Sequence, residues 1–307
     1  MAIPDSFQRK YQNNLEMTLA QGANPALEEA VVWTNDTGEK IKVKDIFAQG
    51  SAKRAEARHE PTNWSDVNPN GVWLTMPEEI YEAVLLDPGD TLATMISLKS
   101  GALEQVAGVL NRGRIEETLA GFFAPIISGK DGTVTTDFPA SAEIPADTGS
   151  ASGDVKMNTK KLREAKKYLG QNFNARGLKR YMVLTEEDND ALLDEVPATS
   201  TDFQRAFGAS VDENGNLIRM LGFNFIHLEL DDPALGRLPD LATDGDGNRR
   251  NPFWVKGGLV GNYWQKLRSR AGEIPDRRFE EGIFGATRLA STRTQAGRCG
   301  IVLNAKD

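Results

Sequence analysis

The stretch SGALEQVAGVLNRGRIEETLAGFF, residues 100–123, carries the longest helical pattern in the chain. Apolar side chains recur at intervals of three or four residues at Leu103, Val106 and Leu110, and the pattern resumes beyond Gly113. This spacing places side chains on one face of an α-helix. We therefore predict a single helix over residues 100–123, with a weak point at Gly113, because glycine lowers helix stability by about 1 kcal/mol relative to alanine.

Two strand patterns lie upstream of this helix and flank a long polar segment. Residues 40–44 alternate between lysine and apolar residues, and residues 72–76 are mostly apolar. We interpret residues 37–86 as a projecting loop built on a β-hairpin. Because an isolated hairpin is only marginally stable in water, it needs a partner surface. Trp73 is a candidate anchor on the returning strand; the alternative is a Trp73 buried within its own subunit.

Residues 1–36 form a polar N-terminal region of mixed character. Apolar residues recur at every fourth position from Phe7 to Leu19, which predicts a short amphipathic helix that ends near Gly22. Such a segment is either an arm that lies on a neighbouring molecule or a frayed terminus, and the sequence favours neither.

Downstream of the long helix, helices and strands alternate, which predicts an α+β fold. A second helix begins at Asn158 or Thr159 and closes near Gly170, and a short third helix follows Thr185. The remaining predictions are strands at residues 180–184, 217–230, 253–255 and 301–303, a turn at residues 212–216, and an acidic loop at residues 231–251.

The charge balance argues against a protein whose main task is to grip DNA or an anionic membrane. The chain of 307 residues has 36 Lys and Arg, 44 Asp and Glu, and a formal net charge of -8. Charge is unevenly distributed, because residues 249–298 hold eleven basic and four acidic side chains. Such separation allows copies of a chain to bind through complementary patches, and a solvated face is the alternative.

No apolar run is long enough to cross a bilayer.

The search for catalytic and metal-binding motifs gives no candidate. Cys299 is the single cysteine, so neither an intrachain disulfide nor a thiolate zinc cluster can form. Residues 149–153 have alanine at the centre, where a nucleophile elbow needs serine. Residues 244–248 begin like a calcium loop, but the later glycine and glutamate are missing. His59 and His227 have no ligand partners at motif spacing. We therefore expect no catalysis, no cofactor and no metal site.

Four passages, taken in their order along the chain, carry a family resemblance. They are Arg58 to Thr62 with Val72-Trp73 and Leu85 to Asp90; the helix at 100–123; Leu162 to Lys166 with Arg180 to Thr185, Ala191 to Leu193 and Thr199 to Asp202; and Leu221 to Ile226 with Gly285 to Arg288. Their order and spacing resemble those of the major capsid proteins of tailed bacteriophages, which have the Hong Kong 97-like coat fold. The acidic loop at residues 231–251 departs from the family pattern.

The resemblance implies an α+β Hong Kong 97-like capsid fold with an N-terminal arm, an extended β-hairpin loop, a peripheral domain with a long spine helix, and an axial domain. On this sequence the parts would be residues 1–36 for the arm, 37–86 for the loop, 87–174 with 286–307 for the peripheral domain, and 175–285 for the axial domain. The candidate assembly-interface residues are Arg58, Trp64, Trp73 and Tyr81.

The resemblance also implies a function. It is that of a non-catalytic major capsid protein of a tailed double-stranded DNA phage, self-assembling into the hexamers and pentamers of an icosahedral shell. The implied partners are scaffolding, portal and decoration proteins, with DNA enclosed without sequence-specific binding and no membrane. The protein would reside in the virion and assemble in the cytoplasm of the bacterial host. Two alternatives stay open: an encapsulin-like nanocompartment shell, and a cytoplasmic α+β hydrolase with its site at His59 or His227.

Overall fold

The computed structural model describes residues 24–47, 52–54, 62, 64, 69–86, 98–151, 153–173, 177–195, 207–277 and 279–306. The helix predicted from Phe7 to Leu19, Arg58 and His59 lie outside the described residues. The α-helices, in chain order, are α1 (Pro25–Ala30), α2 (Leu98–Phe123), α3 (Thr159–Phe173), α4 (Glu186–Glu195) and α5 (Leu238–Leu241). The β-strands, in chain order, are β1 (Val32–Thr34), β2 (Lys40–Phe47), β3 (Pro69–Thr75), β4 (Ile80–Leu86), β5 (Ile126–Ser128), β6 (Val134–Thr136), β7 (Glu143–Ile144), β8 (Arg180–Leu184), β9 (Ser210–Val211), β10 (Leu217–Met220), β11 (Phe223–His227), β12 (Arg249–Val255), β13 (Leu259–Ile274), β14 (Glu280–Arg293) and β15 (Cys299–Asn304).

These strands form three sheets, and with the helices they give the α+β class that the sequence predicts. The helix-backed sheet has the strand order β1-β13-β14-β4, and the hairpin sheet has the order β2-β3-β5-β6. The seven-stranded sheet has the order β7-β15-β12-β8-β11-β10-β9. Within it, β8 runs parallel to β11 and β7 runs parallel to β15, while the other neighbours are antiparallel.

Helix α2 joins two hydrophobic cores. Its first half contributes Ala102, Val106 and Leu110 to a core shared with the helix-backed sheet. Its last turns contribute Leu119 and Phe122 to a second core, which also holds side chains of the seven-stranded sheet. The helix predicted at residues 100–123 is therefore confirmed, and it runs without interruption from one core to the other.

Two glycines of α2 let the helix approach the strands below it. A Cβ at Gly113 would lie 2.8 Å from Cγ2 of Ile80, and a Cβ at Gly121 would lie 2.2 Å from the carbonyl oxygen of Ser291. The hydroxyl of Ser291 also donates a hydrogen bond to the carbonyl oxygen of Thr118, at 2.6 Å. A side chain at Gly121 would therefore push α2 away from the backbone of β14.

Other predicted elements are confirmed where the local signal is strong. Oδ1 of Asn158 accepts a hydrogen bond from the backbone N–H of Lys161 at 2.8 Å, so Asn158, one of the two predicted starting residues, caps α3. The helix continues past the predicted end at Gly170. Strand β8 covers the five predicted residues. Strands β2 and β3 pair in antiparallel fashion with Lys42 opposite Trp73, which confirms the root of the predicted hairpin.

The strand predictions downstream need two corrections. Residues 217–230 form a hairpin, β10 and β11, in place of one strand, because Leu221 and Gly222 take φ angles of 53° and 87° and reverse the chain. The acidic segment 231–251 contains α5 and the start of β12. The longest strands, β13 and β14, are absent from the sequence predictions, since their exposed positions carry charged residues that gave no clear alternation of apolar and polar residues.

The hydrogen-bonded strands cut across the predicted domain boundaries. The boundary between residues 285 and 286 falls inside β14, which is one continuous strand. Strand β15, assigned to the peripheral domain with residues 286–307, lies between β7 and β12 in the seven-stranded sheet. Helix α3 packs on that same sheet through Leu162 and Leu169. Motif order along the chain does not show which strands pair, and the predicted domain division stays a prediction.

We expect Gly121→Ala to lower the free energy of unfolding by about 2–3 kcal/mol, because the new methyl group meets backbone atoms of Ser291 that cannot rotate away. Gly108→Ala in the same helix is the matched control, since its Cβ would lie 3.4 Å from the end of the Arg112 side chain. Alanine is the better helix former, so this control should raise stability by about 0.5–1 kcal/mol. Denaturant unfolding followed by tryptophan fluorescence measures both. If both substitutions changed the free energy of unfolding in the same direction, the result would contradict the close packing of α2 on β14.

Candidate assembly surfaces

The described end of the predicted N-terminal arm lies on its own chain. Strand β1 pairs in parallel with β13, and the indole Nε1 of Trp254 donates a hydrogen bond to the carbonyl oxygen of Ala30 at 3.1 Å. The Lys179 ammonium is 2.5 Å from a carboxylate oxygen of Glu29, and this contact lowers the pKa of Glu29. Residues 24–34 are thus fixed to the subunit that contains them.

The hairpin sheet is anchored at its root. Val72 and Leu74 of β3 are buried, and β3 pairs with β5, the first strand of the following hairpin. The described pairing of β2 with β3 ends at Phe47 opposite Pro69. The predicted projecting loop therefore starts from a fixed base within the subunit.

Trp73 fastens this root to the turn between β5 and β6. Its Nε1 donates a hydrogen bond to the carbonyl oxygen of Gly129 at 2.8 Å. A Cβ at Gly132 would lie 3.0 Å from the indole ring, and the Lys42 ammonium is 6.0 Å from the ring centroid. Trp73 is half-buried by these contacts with its own chain. A contact of Trp73 with a neighbouring copy stays a prediction.

Trp64 has the opposite environment. Its side chain is 85% exposed, the highest value among the exposed large apolar residues of the described chain. A tryptophan offers a large apolar area and an N–H donor, which is why it is enriched at protein interfaces. Trp64 is therefore available to a partner, whereas Trp73 is largely engaged. Arg58, predicted beside it in the loop, lies outside the described residues.

Among the described helices, none packs on one face of the helix-backed sheet. We name it the open face, formed by Tyr81, Leu85, Ile274 and Phe284. Side chains of β4 alternate between the two faces, and Tyr81 and Leu85 point away from α2 with Tyr81 62% exposed. The rings of Tyr81 and Phe284 stack with centroids 6.0 Å apart. A contiguous apolar patch of this kind marks an interaction surface more often than scattered residues do. Of the predicted interface residues that the structure describes, Tyr81 lies on this face, and Trp64 and Trp73 do not.

Arginines of β13 border the open face. The Arg268 guanidinium lies 5.8 Å from the centroid of the Phe284 ring and 3.7 Å from a carboxylate oxygen of Glu79. A groove of about 810 Å³ runs beside it between β4, β13 and β14, with Arg270 and Arg277 among its lining residues. The open face therefore combines aromatic area with guanidinium groups, the combination that is enriched at protein–protein interfaces.

Part of the basic segment 249–298 is internal and does not contribute to surface charge. Arg249 is buried and donates to carboxylate oxygens of Glu187 at 2.6 Å and Asp231 at 2.9 Å. Arg293 is fully buried, with its guanidinium 4.3 Å from the centroid of the Phe138 ring, and burial lowers the pKa of Arg293 to about 10. The positive charge counted from the sequence therefore overstates the positive charge available to a partner.

The chemical groups singled out in the sequence, where the structure describes them, are engaged within the subunit. Nε2 of His227 lies 2.9 Å from the carbonyl oxygen of Leu217, so the imidazole is engaged by backbone. Burial raises the pKa of the Cys299 thiol to about 12, which keeps it protonated. Oδ1 of Asp244 accepts hydrogen bonds from backbone N–H groups within residues 244–248, which makes this segment a turn. Within the described ranges, no group of three His, Cys, Asp or Glu could hold a metal ion. No helix there is long and apolar enough to cross a membrane.

Comparison with known proteins gives a family match along nearly the whole chain. A family model described as "Phage capsid protein" matches residues 3–306. Among proteins with curated functions, none matches this sequence.

Solved structures with the same fold include phage capsids and an encapsulin complex. The capsid of Cyanophage P-SCSP1u superposes with a TM-score of 0.64 and 13% sequence identity, covering 91% of this chain and 88% of that chain. The Cyanophage Pam1 capsid has a TM-score of 0.63 and 12% sequence identity, covering 91% of this chain and 90% of that chain. The holo-SrpI encapsulin complex from Synechococcus elongatus has a lower TM-score of 0.56 and 10% sequence identity, covering 91% of this chain and 87% of that chain.

The two tryptophans of the hairpin region should respond differently to substitution. We expect Trp73→Ala to lower the free energy of unfolding by about 2–3 kcal/mol, because it removes half-buried ring packing and the hydrogen bond to Gly129. Trp64→Ala is the matched control. It should change the free energy of unfolding by less than about 0.5 kcal/mol, because substitutions at exposed sites rarely have larger effects on stability. It should also weaken association between copies. Chemical denaturation and light scattering measure the two effects. A stable Trp73→Ala variant would mean that Trp73 does not hold the root.

Proposed function

The chain belongs to the phage capsid protein family, and from this we propose that copies of this major capsid protein assemble into the hexamers and pentamers of an icosahedral shell around double-stranded DNA. The observation that carries the proposal is the family match, which spans nearly the whole chain. The capsid of the virion is its site of action, and we propose that assembly takes place in the cytoplasm of the bacterial host.

Two features of the subunit support assembly in physical terms. The open face leaves aromatic and aliphatic area of Tyr81 and Leu85 in water, and the hairpin region exposes Trp64. Burying such area against sibling copies is favourable by about 25 cal/mol per Å² of apolar surface. Each contact can be weak, because a closed symmetric shell repeats it many times.

We propose a domain division that keeps each sheet whole. The axial domain then holds the seven-stranded sheet with α3 and α4, and includes β15. The peripheral domain holds α2 with the helix-backed sheet, and includes all of β13 and β14. The hairpin sheet is the base of the extended loop predicted over residues 37–86.

We propose that the shell encloses DNA without sequence-specific contacts. A strongly basic inner wall would bind phosphates by counterion release and hinder packaging and ejection. The net charge of -8 and the burial of Arg249 and Arg293 both reduce the positive charge that DNA would meet. Scaffolding, portal and decoration proteins complete the set of proposed partners.

A protein nanocompartment is the second candidate function, because the chain shares its fold with an encapsulin complex. In that case the shell would hold a protein cargo and no genome. A hydrolase has less support, since His227 is bonded to a backbone carbonyl and not to a nucleophile. His59, the other histidine, lies outside the described residues.

Replacing residues 47–69 with Asn-Gly should leave a folded subunit that does not form shells. Ile46 and Asn70 are paired directly opposite each other, so a two-residue turn can join them. Removing Pro69 avoids a glycine–proline step in that turn. The contacts of Trp73 at the root are retained. Circular dichroism reports folding, and negative-stain microscopy beside the unmodified chain reports particles. If the variant unfolds, the replaced segment belongs to the core. If the variant forms intact shells, the segment is not needed for assembly.

The contents of isolated particles separate the two shell functions. For a phage capsid we expect nuclease-protected double-stranded DNA inside particles purified from a lysate, and for a nanocompartment we expect a single abundant cargo protein and no DNA. Nuclease treatment before extraction, followed by gel electrophoresis and protein mass spectrometry, measures both. Cargo without DNA would contradict the phage capsid function.

A further inference from the structure

The outer surface of α3 carries basic side chains. Lys160, Arg163 and Lys166 follow one another at intervals of three residues, which places them along one side of the helix, and all three are exposed. We name them the basic stripe. Lys167, beside them, is paired with Glu164 of the same helix at 3.1 Å. Within the described chain, no ion pair or hydrogen bond engages a side chain of the basic stripe, so its charges are available to a partner.

Helix α4 carries the opposite charge on its outer surface. Glu186, Asp190 and Asp194 are spaced four residues apart, which aligns them along one side of the helix, and all three are exposed. We name them the acidic stripe. Asp188 of the same helix points inward and is buried. Where the structure describes the chain, no side chain pairs with a carboxylate of the acidic stripe.

Both stripes lie on the same side of the subunit, because both helices pack on one face of the seven-stranded sheet. Leu162 of α3 and Leu192 of α4 belong to one core with Met182 of β8. The helices meet at one end, where the Glu195 carboxylate accepts hydrogen bonds from the backbone N–H of Thr159 at 2.6 Å and from its hydroxyl at 3.0 Å. This contact joins the end of α4 to the start of α3 and uses neither stripe.

The charges of the two stripes decide which kind of partner fits this side of the subunit. Nucleic acid would be attracted by the basic stripe and repelled by the acidic stripe, since its phosphates are all negative. A second copy of this chain carries both stripes, with three cations in one and three carboxylates in the other. It can therefore neutralise both, whereas a partner of one sign can neutralise only one of them.

We propose that α3 of one copy lies against α4 of the next copy in a ring, with the basic stripe of the first on the acidic stripe of the second. This rests on the proposed assembly into hexamers and pentamers. Each copy gives its basic stripe to one neighbour and its acidic stripe to the other, and such head-to-tail contacts close into rings. Exposed ion pairs are individually weak, so their main effect is to select this arrangement over those in which like charges meet.

Reversing the charge of one stripe at a time tests this contact. Arg163→Glu with Lys166→Glu makes both stripes acidic, and Asp190→Lys with Asp194→Lys makes both basic. Each reversed chain should need about tenfold more protein to reach half-maximal assembly, measured by light scattering in low salt, where exposed charges are screened least. The chain with all four substitutions regains opposite charges and should return to within about threefold of the unmodified chain. Assembly as poor as that of either reversed chain would overturn the proposal.

Two further measurements separate the contact from effects on folding. Arg163→Lys with Lys166→Arg is the matched control, because it keeps the charges, and it should assemble like the unmodified chain. Equal amounts of the two reversed chains, once mixed, should assemble although neither does so alone, because each acidic α3 then meets a basic α4. Circular dichroism checks each variant, and if a double variant does not fold, Arg163→Glu and Asp190→Lys alone carry the same test.

The remaining outcomes distinguish this contact from the proposed function. Shells that form equally well from every variant would mean that both stripes are solvated surface, and would overturn this contact alone. Shells that form but lose their DNA when the basic stripe is reversed would assign that stripe to phosphate, and would also overturn the contact. If the unmodified chain forms no shells, the proposed function and this contact fail together.

Discussion

Helix α2 is shared by two hydrophobic cores, and the arrangement of the subunit depends on this sharing. Its first half packs on the helix-backed sheet, and its last turns pack with side chains of the seven-stranded sheet. Gly121 brings the helix into backbone contact with Ser291 of β14. Because protein cores are close-packed, α2 cannot rotate about its axis without opening one of them. The two sheets are therefore held in one relative orientation, and the hairpin root is fixed with them.

The elements that the sequence predicts well are those whose signal is local. Helix α2 is specified by its own apolar stripe, α3 by the cap at Asn158, and β8 by a continuous apolar run. Strands β13 and β14 are different, because their residues become a sheet only by pairing with each other and with β1 and β4. That pairing is non-local, so these two strands could not be located from sequence patterns.

The same distinction applies to the assembly surfaces. Tyr81 and Trp64 are predicted interface residues, and both are exposed in the structure. Trp73 is a predicted interface residue too, yet its indole is bonded to Gly129 of its own chain. The type of a side chain predicts that it can anchor an interface. For Trp73, the packing of the turn between β5 and β6 decides that the indole contacts its own chain. The charge of residues 249–298 shows the same effect, since Arg249 and Arg293 are internal.

Strand β15 lies between β7 and β12, yet it comes later in the chain than every other strand of its sheet. During translation, β7 has no neighbour to pair with until β15 has left the ribosome, and one edge of β12 stays open for the same reason. The seven-stranded sheet therefore cannot close on a nascent chain that stops short of residue 304.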